Sequence, residues 1–332
     1  MLDQAVAAAL VRNDRHIAIT GAGGWIGRAT LDLLWTALGN AFDSRVTCYG
    51  SAESEIDLGD GRNVRQHALA DLAALQASNI WVLHFAFQTK DRAETMGEAA
   101  YRAANLAIRD TVLDALDRID VSALFVASSG AATKADDPAA SPAMRLYGSM
   151  KRDDEDAFAR WAQARGRRAV VGRIFNITGP YINKHDAYAI ANFIADALAG
   201  RPIMVRAPRN VVRGYVAIRE LMSLVFALLG DAPDGVVRFD SGGDALELGD
   251  VARIVADTLG GGAVVRAPIT DPVADLYIGD GSGYAALRDR HAIQPVPLDR
   301  QVQETAPFIA TPRAVSAAVG GSPGSRRGNE AA

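Results

Sequence analysis

Tyr147 and Lys151, in "YGSMK", stand four residues apart, which on a helix sets one side chain above the other. An ammonium so placed stabilises phenolate, moving the tyrosine toward the range useful for general acid–base work, and can also reach a ribose hydroxyl. With eight tyrosines and four lysines in 332 residues, roughly 0.1 such pairs are expected by chance. Ser128 and Ser129 end the apolar run "ALFVASS", where a hydroxyl can polarise a carbonyl or an alkoxide. Near the N-terminus, "ITGAGGWIGRA" spaces Gly21, Gly24 and Gly27 as G-x-x-G-x-x-G; the commoner G-x-G-x-x-G fails because Ile26 stands where it needs glycine. A glycine turn of this kind, opening a helix, offers backbone N–H groups to a pyrophosphate. Each feature alone also has a plain reading: a tight turn without ligand, a solvated helix pair, a serine that only forms a turn.

These side chains need a scaffold, and the chain supplies one. "HIAITGA", "RVTCYG", "NVRQHAL", "IWVLHFA" and "ALFVASS" are apolar runs that alternate with helical periodicity over Arg28 to Leu38 and near Ala99 to Leu116. Continuous apolar strands predict a parallel sheet covered on both faces, with ligands at the carboxyl ends of its strands. Further on come "RRAVVGRIFNITGP", a helix near Ala187 to Ala199, "PIMVRAP", "GYVAIRELMSLVFALLG" and "GVVRFDSGG", after which the alternation loosens. The predicted fold class is α/β, a Rossmann-type doubly wound parallel sheet with a smaller C-terminal α/β lobe. The expected divisions are an extension over 1–15, a dinucleotide-binding domain over 16–177 and a substrate lobe over 178–315. Segments near 211–243 should return to the first domain, and 316–332, poor in anything to bury, should be a disordered tail.

Composition excludes several roles. A net charge of −4 gives no basic field for nucleic acid, and no apolar run reaches the length of a membrane span. "AVAAAL" (Ala5 to Leu10) is too short for a signal segment and reads as a short helix, so a cytoplasmic location is expected. The single cysteine, Cys48, lies within an apolar strand, and five scattered histidines show no metal-ligand spacing, so no metal site is expected.

"TGAGGWIG", "ASSG" and "YGSMK", in this order on a βαβ chain, resemble the extended short-chain dehydrogenase/reductase family, in particular its nucleotide-sugar epimerases, dehydratases and 4-ketoreductases. The resemblance runs from Arg15 to Ala310. It implies Tyr147 as acid–base, Lys151 as its pKa-lowering, ribose-binding partner, and Ser129 as the hydroxyl that polarises the substrate. It further implies a nicotinamide dinucleotide, NAD or NADP, held by Gly21, Gly24, Trp25, Ile26, Gly27 and Ser51. "ADL" is similar to the family's adenine contact (Asp71, Leu72), "HFA" to its strand passing the cofactor (Phe85, Ala86), and "AAN" to its asparagine (Asn105). "RIFNITGP" places Asn176 near a substrate diphosphate, "VRGYVAI" makes Arg213 the partner of a nucleotide phosphate, and "FDSGG" matches the late strand and turn.

The chain also departs from the family. Gly130 and Ala131 replace the acidic pair of the dehydratases, which leaves epimerase or ketoreductase, and Thr133 and Lys134 replace a tyrosine–glycine pair of the sugar pocket. After the second strand, Gly50 and Ser51 stand where NAD-using relatives carry an acid, which tilts the expectation toward NADP. "APITDPVADLYIGD" lacks the second arginine clamp, with Arg266 just before it. The expected function is epimerisation of a nucleotide-activated sugar; the alternatives are NADP-dependent reduction of a keto-sugar and a non-catalytic dinucleotide-binding regulator. By analogy, a homodimer is expected through the helices near Ala99 to Leu116 and Tyr147 to Ala164.

Overall fold

Ile17–Thr20 and Ile80–His84 are buried at every position, as strands covered on both faces must be. The structure, a computed structural model, describes residues 1–183, 185–231 and 234–310. The expected tail and the last residues of the expected lobe lie outside them.

In chain order the strands are β1 (Ile17–Thr20), β2 (Val46–Gly50), β3 (Ser54–Gly59), β4 (Arg62–Ala68), β5 (Ile80–His84), β6 (Val121–Ser129) and β7 (Arg168–Ile174). Then follow β8 (Asn176–Thr178), β9 (Ile203–Val205), β10 (Val211–Ala217), β11 (Val236–Asp240), β12 (Ala245–Glu247), β13 (Val264–Arg266) and β14 (Asp275–Tyr277). The helices are α1 (Gln4–Arg12), α2 (Trp25–Leu38), α3 (Phe42–Arg45), α4 (Lys90–Met96), α5 (Glu98–Leu116) and α6 (Pro142–Ala164). After these come α7 (Ala189–Leu198), α8 (Ile218–Gly230), α9 (Leu248–Leu259), α10 (Gly281–Arg290) and α11 (Leu298–Ala310).

Eight strands form the main sheet in the order β11-β7-β6-β5-β1-β2-β4-β3, parallel throughout except for β3 against β4. Alternate residues of each strand feed two cores. Ile17, Ile19, Trp81, Leu83, Phe125 and Val170 pack with α1, α2 and α8 on one face. Ala18, Val82, Leu124, Val126 and Val171 pack with Val112 of α5 and Phe158 of α6 on the other. Because β1 lies between β2 and β5, the chain winds outward in both directions from it, and its carboxyl end is the crevice where such sheets take ligands.

A smaller sheet centres on β10, which pairs with β8 and β14 in parallel and with β12 in antiparallel fashion. Of the 211–243 segment, β11 joins the main sheet beside β7 and α8 packs against it, whereas β10 stays in the small sheet. Strand β3 was not expected. Its burial is broken by exposed Ser54, Glu55 and Asp57, and it meets β4 through Gly59, Asp60 and Gly61, all at positive φ (82°, 55° and 74°).

Candidate functional site

The strand-to-helix turn after β1 is built by glycine. Gly21 has φ of 72°, and a Cβ there would lie 2.6 Å from the Ala86 nitrogen, so the turn depends on the missing side chain. At Gly27 a Cβ would lie 2.5 Å from the Ala22 carbonyl oxygen, so helix α2 sits hard against its own strand. Gly24 caps α2 with no side chain to occupy the first N–H groups. Those donors open toward the cleft with the positive end of the helix dipole behind them. Trp25 follows, its indole N–H donating to the Pro180 carbonyl at 2.8 Å and its ring edge-on to Tyr188 at 5.4 Å.

A cleft of about 460 Å³ runs from this loop to the carboxyl end of β6. Its lining brings together Gly21, Gly24, Trp25, Ile26, Gly27, Ser51, Phe85, Ala86, Ser129, Tyr147 and Lys151, side chains and turns far apart in sequence. Gln66, Phe87 and Tyr188 also line it; none was expected from the sequence. Helix α6 starts at the Ser141 cap, with Pro142 in its first turn, and carries Tyr147 and Lys151 to the cleft across the end of β6.

The two serines of β6 do different work. The Ser128 hydroxyl donates to Glu155, which also accepts from Arg173 Nε and Nη2 at 2.9 Å each, so Ser128 lines the cleft with its hydroxyl already engaged. Ser129 instead lies beside Tyr147, near enough to lower its phenol, and its Oγ accepts from the Ala131 amide at 3.2 Å. Tyr277, from β14, comes near the same hydroxyl and packs at a tilt against Phe175, ring centres 4.9 Å apart.

Burial pushes the Tyr147 phenol above its ordinary range, and the nearby Ser129 hydroxyl pulls it back. The lowering expected from Lys151 is absent here: the ammonium donates to the Ala127 carbonyl at 2.8 Å and lies 3.8 Å from the centre of the Phe87 ring. Burial also brings Lys151 down to about 8, against the pull of Asp154 and Glu155. Cys48, fully buried in β2, has its thiol pushed up to about 12, so it is no nucleophile.

Five of the expected site residues do not line the cleft. Leu72 is fully buried against Ala18 and Val82 in the core, and Asp71 beside it is exposed outside the cleft lining. Asn105 is buried, accepting from the Gln88 amide at 2.8 Å and donating to the Tyr101 carbonyl, so it fastens the loop after β5 from behind. Asn176 spends its amide on the Gly214 and Tyr277 carbonyls. Arg213 pairs with Asp275 at 2.9 Å, across the register that joins β10 to β14. What the cleft does present fits a dinucleotide: open N–H groups at a helix start for phosphates, and a phenol, a hydroxyl and an ammonium at the far end for a hydroxyl proton and a ribose.

Comparison with known proteins agrees with this geometry. Of solved structures, UDP-glucose 4-epimerase of Thermus thermophilus, complexed with NAD, superposes with a TM-score of 0.63 at 20% identity, covering 90% of this chain and 100% of that one. UDP-N-acetylglucosamine 4-epimerase of Methanobrevibacter ruminantium, in complex with UDP-N-acetylmuramic acid, gives 0.66 at 18% identity, covering 90% and 99%. These likenesses establish the Rossmann-type fold. Among curated proteins, UDP-glucuronic acid decarboxylase 3 of Arabidopsis thaliana is 31% identical over 98 residues, 30% of this chain and 25% of that protein. The match thus spans about a quarter of that relative's length. Over residues 17–238 the sequence matches the family described as NAD dependent epimerase/dehydratase, which takes in β1 through β10, the start of β11 and every cleft residue named above. The chain therefore belongs to the NAD-dependent epimerase/dehydratase family of enzymes.

Proposed function

We propose that the protein is an NAD(P)-dependent epimerase of a nucleotide-activated sugar. The observation that carries this reading is the convergence of Ser129, Tyr147 and Lys151 on one cleft with the glycine turn. A bound nicotinamide supplies a hydride acceptor and, once reduced, a hydride donor. Tyr147 would enter as its phenolate, take the proton of the sugar hydroxyl as its carbon is oxidised and give it back on reduction. Ser129 holds the reacting oxygen between its hydroxyl and Tyr147, and Lys151 holds the nicotinamide ribose. In this reading Asn176 and Arg213 face the substrate diphosphate after exchanging their present partners. Asp71, Leu72 and Asn105 then support the adenine and the loop after β5 from outside the lining.

Position 130 speaks against water elimination. A Cβ on Gly130 would run into the Phe175 ring, so no acidic side chain fits there, and Ala131 is buried beside it. A second reading, reduction of a keto-sugar with NADP, is favoured by the end of β2, where neither Gly50 nor Ser51 carries a carboxylate. The test is to denature the purified protein, identify any released dinucleotide by mass spectrometry, and assay UDP-sugars for interconversion. Retained NAD with interconversion supports the epimerase. An empty protein that turns over only keto-sugars with NADPH replaces it by the reductase, and release of carbon dioxide from a UDP-uronic acid replaces it by a decarboxylase.

The same proposal includes a homodimer through α5 and α6, checked by light scattering, and a cytoplasmic location, checked by fractionation. Among the described residues no helix is long and apolar enough to cross a membrane.

A further inference from the structure

We infer that the Gln66 carboxamide reads the 2′-hydroxyl of the adenosine ribose and thereby sets the protein to prefer NAD over NADP. The inference rests on the dinucleotide reading of the cleft and concerns the end away from Tyr147. Strand β4 lies beside β2, with Cys48 opposite Gln66 and Gly50 opposite Ala68. The Gln66 side chain lies along that register over Gly50. A Cβ at position 50 would fall on its carboxamide, so the amide occupies the place where a side chain at the end of β2 would begin. The position that lacks an acid in the sequence is therefore filled from the neighbouring strand.

The orientation of the amide is fixed. Its Nε2 donates to the Ala52 carbonyl and to the Ser54 hydroxyl, each at 3.0 Å, which uses both protons. The carbonyl oxygen is thereby turned to the glycine turn: a Cβ at Gly23 would stand 3.4 Å from Oε1. The residue is 8% exposed and lines the cleft, yet Oε1 accepts no hydrogen bond among the described residues. An acceptor open to the cleft with no donor of its own to offer suits a hydroxyl and repels the oxygens of a phosphate. The neighbouring cations do not reverse this. Arg65 is paired with Glu53; Arg28 gives its Nε to the Gly23 carbonyl at 3.1 Å and keeps its terminal donors, so its removal is part of the test.

The experiment is fluorescence titration of the full chain with NADH and NADPH at physiological salt, for the wild type, Gln66→Met and Arg28→Ala. Wild type should bind NADH at least tenfold more tightly. Gln66→Met, which keeps the length of the side chain and removes the acceptor, should weaken NADH about five- to tenfold and leave NADPH binding as tight or tighter. Arg28→Ala should keep the preference. Equal or tighter binding of NADPH by the wild type overturns the inference without any variant, and equal weakening of both dinucleotides by Gln66→Met reduces Gln66 to a structural part. If neither dinucleotide binds at millimolar concentration, the dinucleotide reading of the cleft itself fails, a result distinct from binding with the opposite preference.

Discussion

The Lys151 ammonium lies 3.8 Å from the centre of the Phe87 ring, so the cation at the β6 end of the cleft rests on an aromatic face as well as on a carbonyl. The ring stabilises the charged form of a lysine that burial has brought down to about 8. Replacing it by leucine removes roughly 1 kcal/mol of that support, which lowers the lysine pKa further. Dinucleotide affinity that depends on this ammonium should decline above about pH 8 in the wild type. In Phe87→Leu the decline should begin at a lower pH by about half a unit or more. Titration with NADH from pH 6.5 to pH 9.5 (about the span buffers allow without unfolding) reads the shift.

Tyr147 is the group whose loss separates an enzyme from a binding protein. Tyr147→Phe keeps the ring that packs edge-on against Phe87 at 5.7 Å and removes only the hydroxyl. Turnover should fall by about two orders of magnitude or more, while dinucleotide affinity stays within about twofold. A regulator without chemistry would lose nothing.

Gly21→Ala places a methyl group against the backbone of Ala86 at a φ of 72°. The unfolding free energy should drop by about 2 kcal/mol, measured by urea titration. Dinucleotide affinity should weaken at least tenfold, because the turn cannot move aside without moving the first N–H groups of α2.

Two buried groups behind the cleft pull stability in opposite directions as the medium acidifies. His84, bonded through Nδ1 to Thr20 Oγ1 at 2.7 Å, is held neutral by burial, with its pKa brought from 6.5 down to about 3. Below pH 6.5 the unfolded chain takes a proton there that the folded chain refuses, so stability is lost as pH falls. Asp154 is raised by burial from 3.8 to about 6, so between those values the folded chain holds a proton the unfolded chain lacks, and stability is gained. His84→Asn should therefore make the protein gain stability relative to wild type on acidification from pH 6 toward pH 4, by on the order of 1 kcal/mol per pH unit. Asp154→Asn should do the reverse. Urea unfolding at several pH values measures both slopes.

The parts legible in the sequence are those whose geometry is local. The apolar runs of β1, β2, β5 and β6 announced a covered parallel sheet because nearly every position in them is buried. The spacing of Tyr147 and Lys151 on α6, and of the glycines after β1, is written within a few residues of chain. Gln66 was illegible because its meaning comes from Gly50 on another strand, and Tyr277 because it comes near Ser129 only through the pairing of β14 with β10. Leu72 differs again: the motif match places it near adenine, and its side chain packs in the core.

The hairpin of β3 and β4 has a second consequence beyond bringing Gln66 to the cleft. An open parallel sheet ends in a row of unpaired backbone groups, an invitation to join another chain edge to edge. Here that row belongs to a short antiparallel strand bearing exposed Glu55 and Asp57, with a register shift between Asp57 and Gly59. Charge and irregularity together make this edge a poor template, so the hairpin that brings Gln66 to the cleft also guards the enzyme against aggregation.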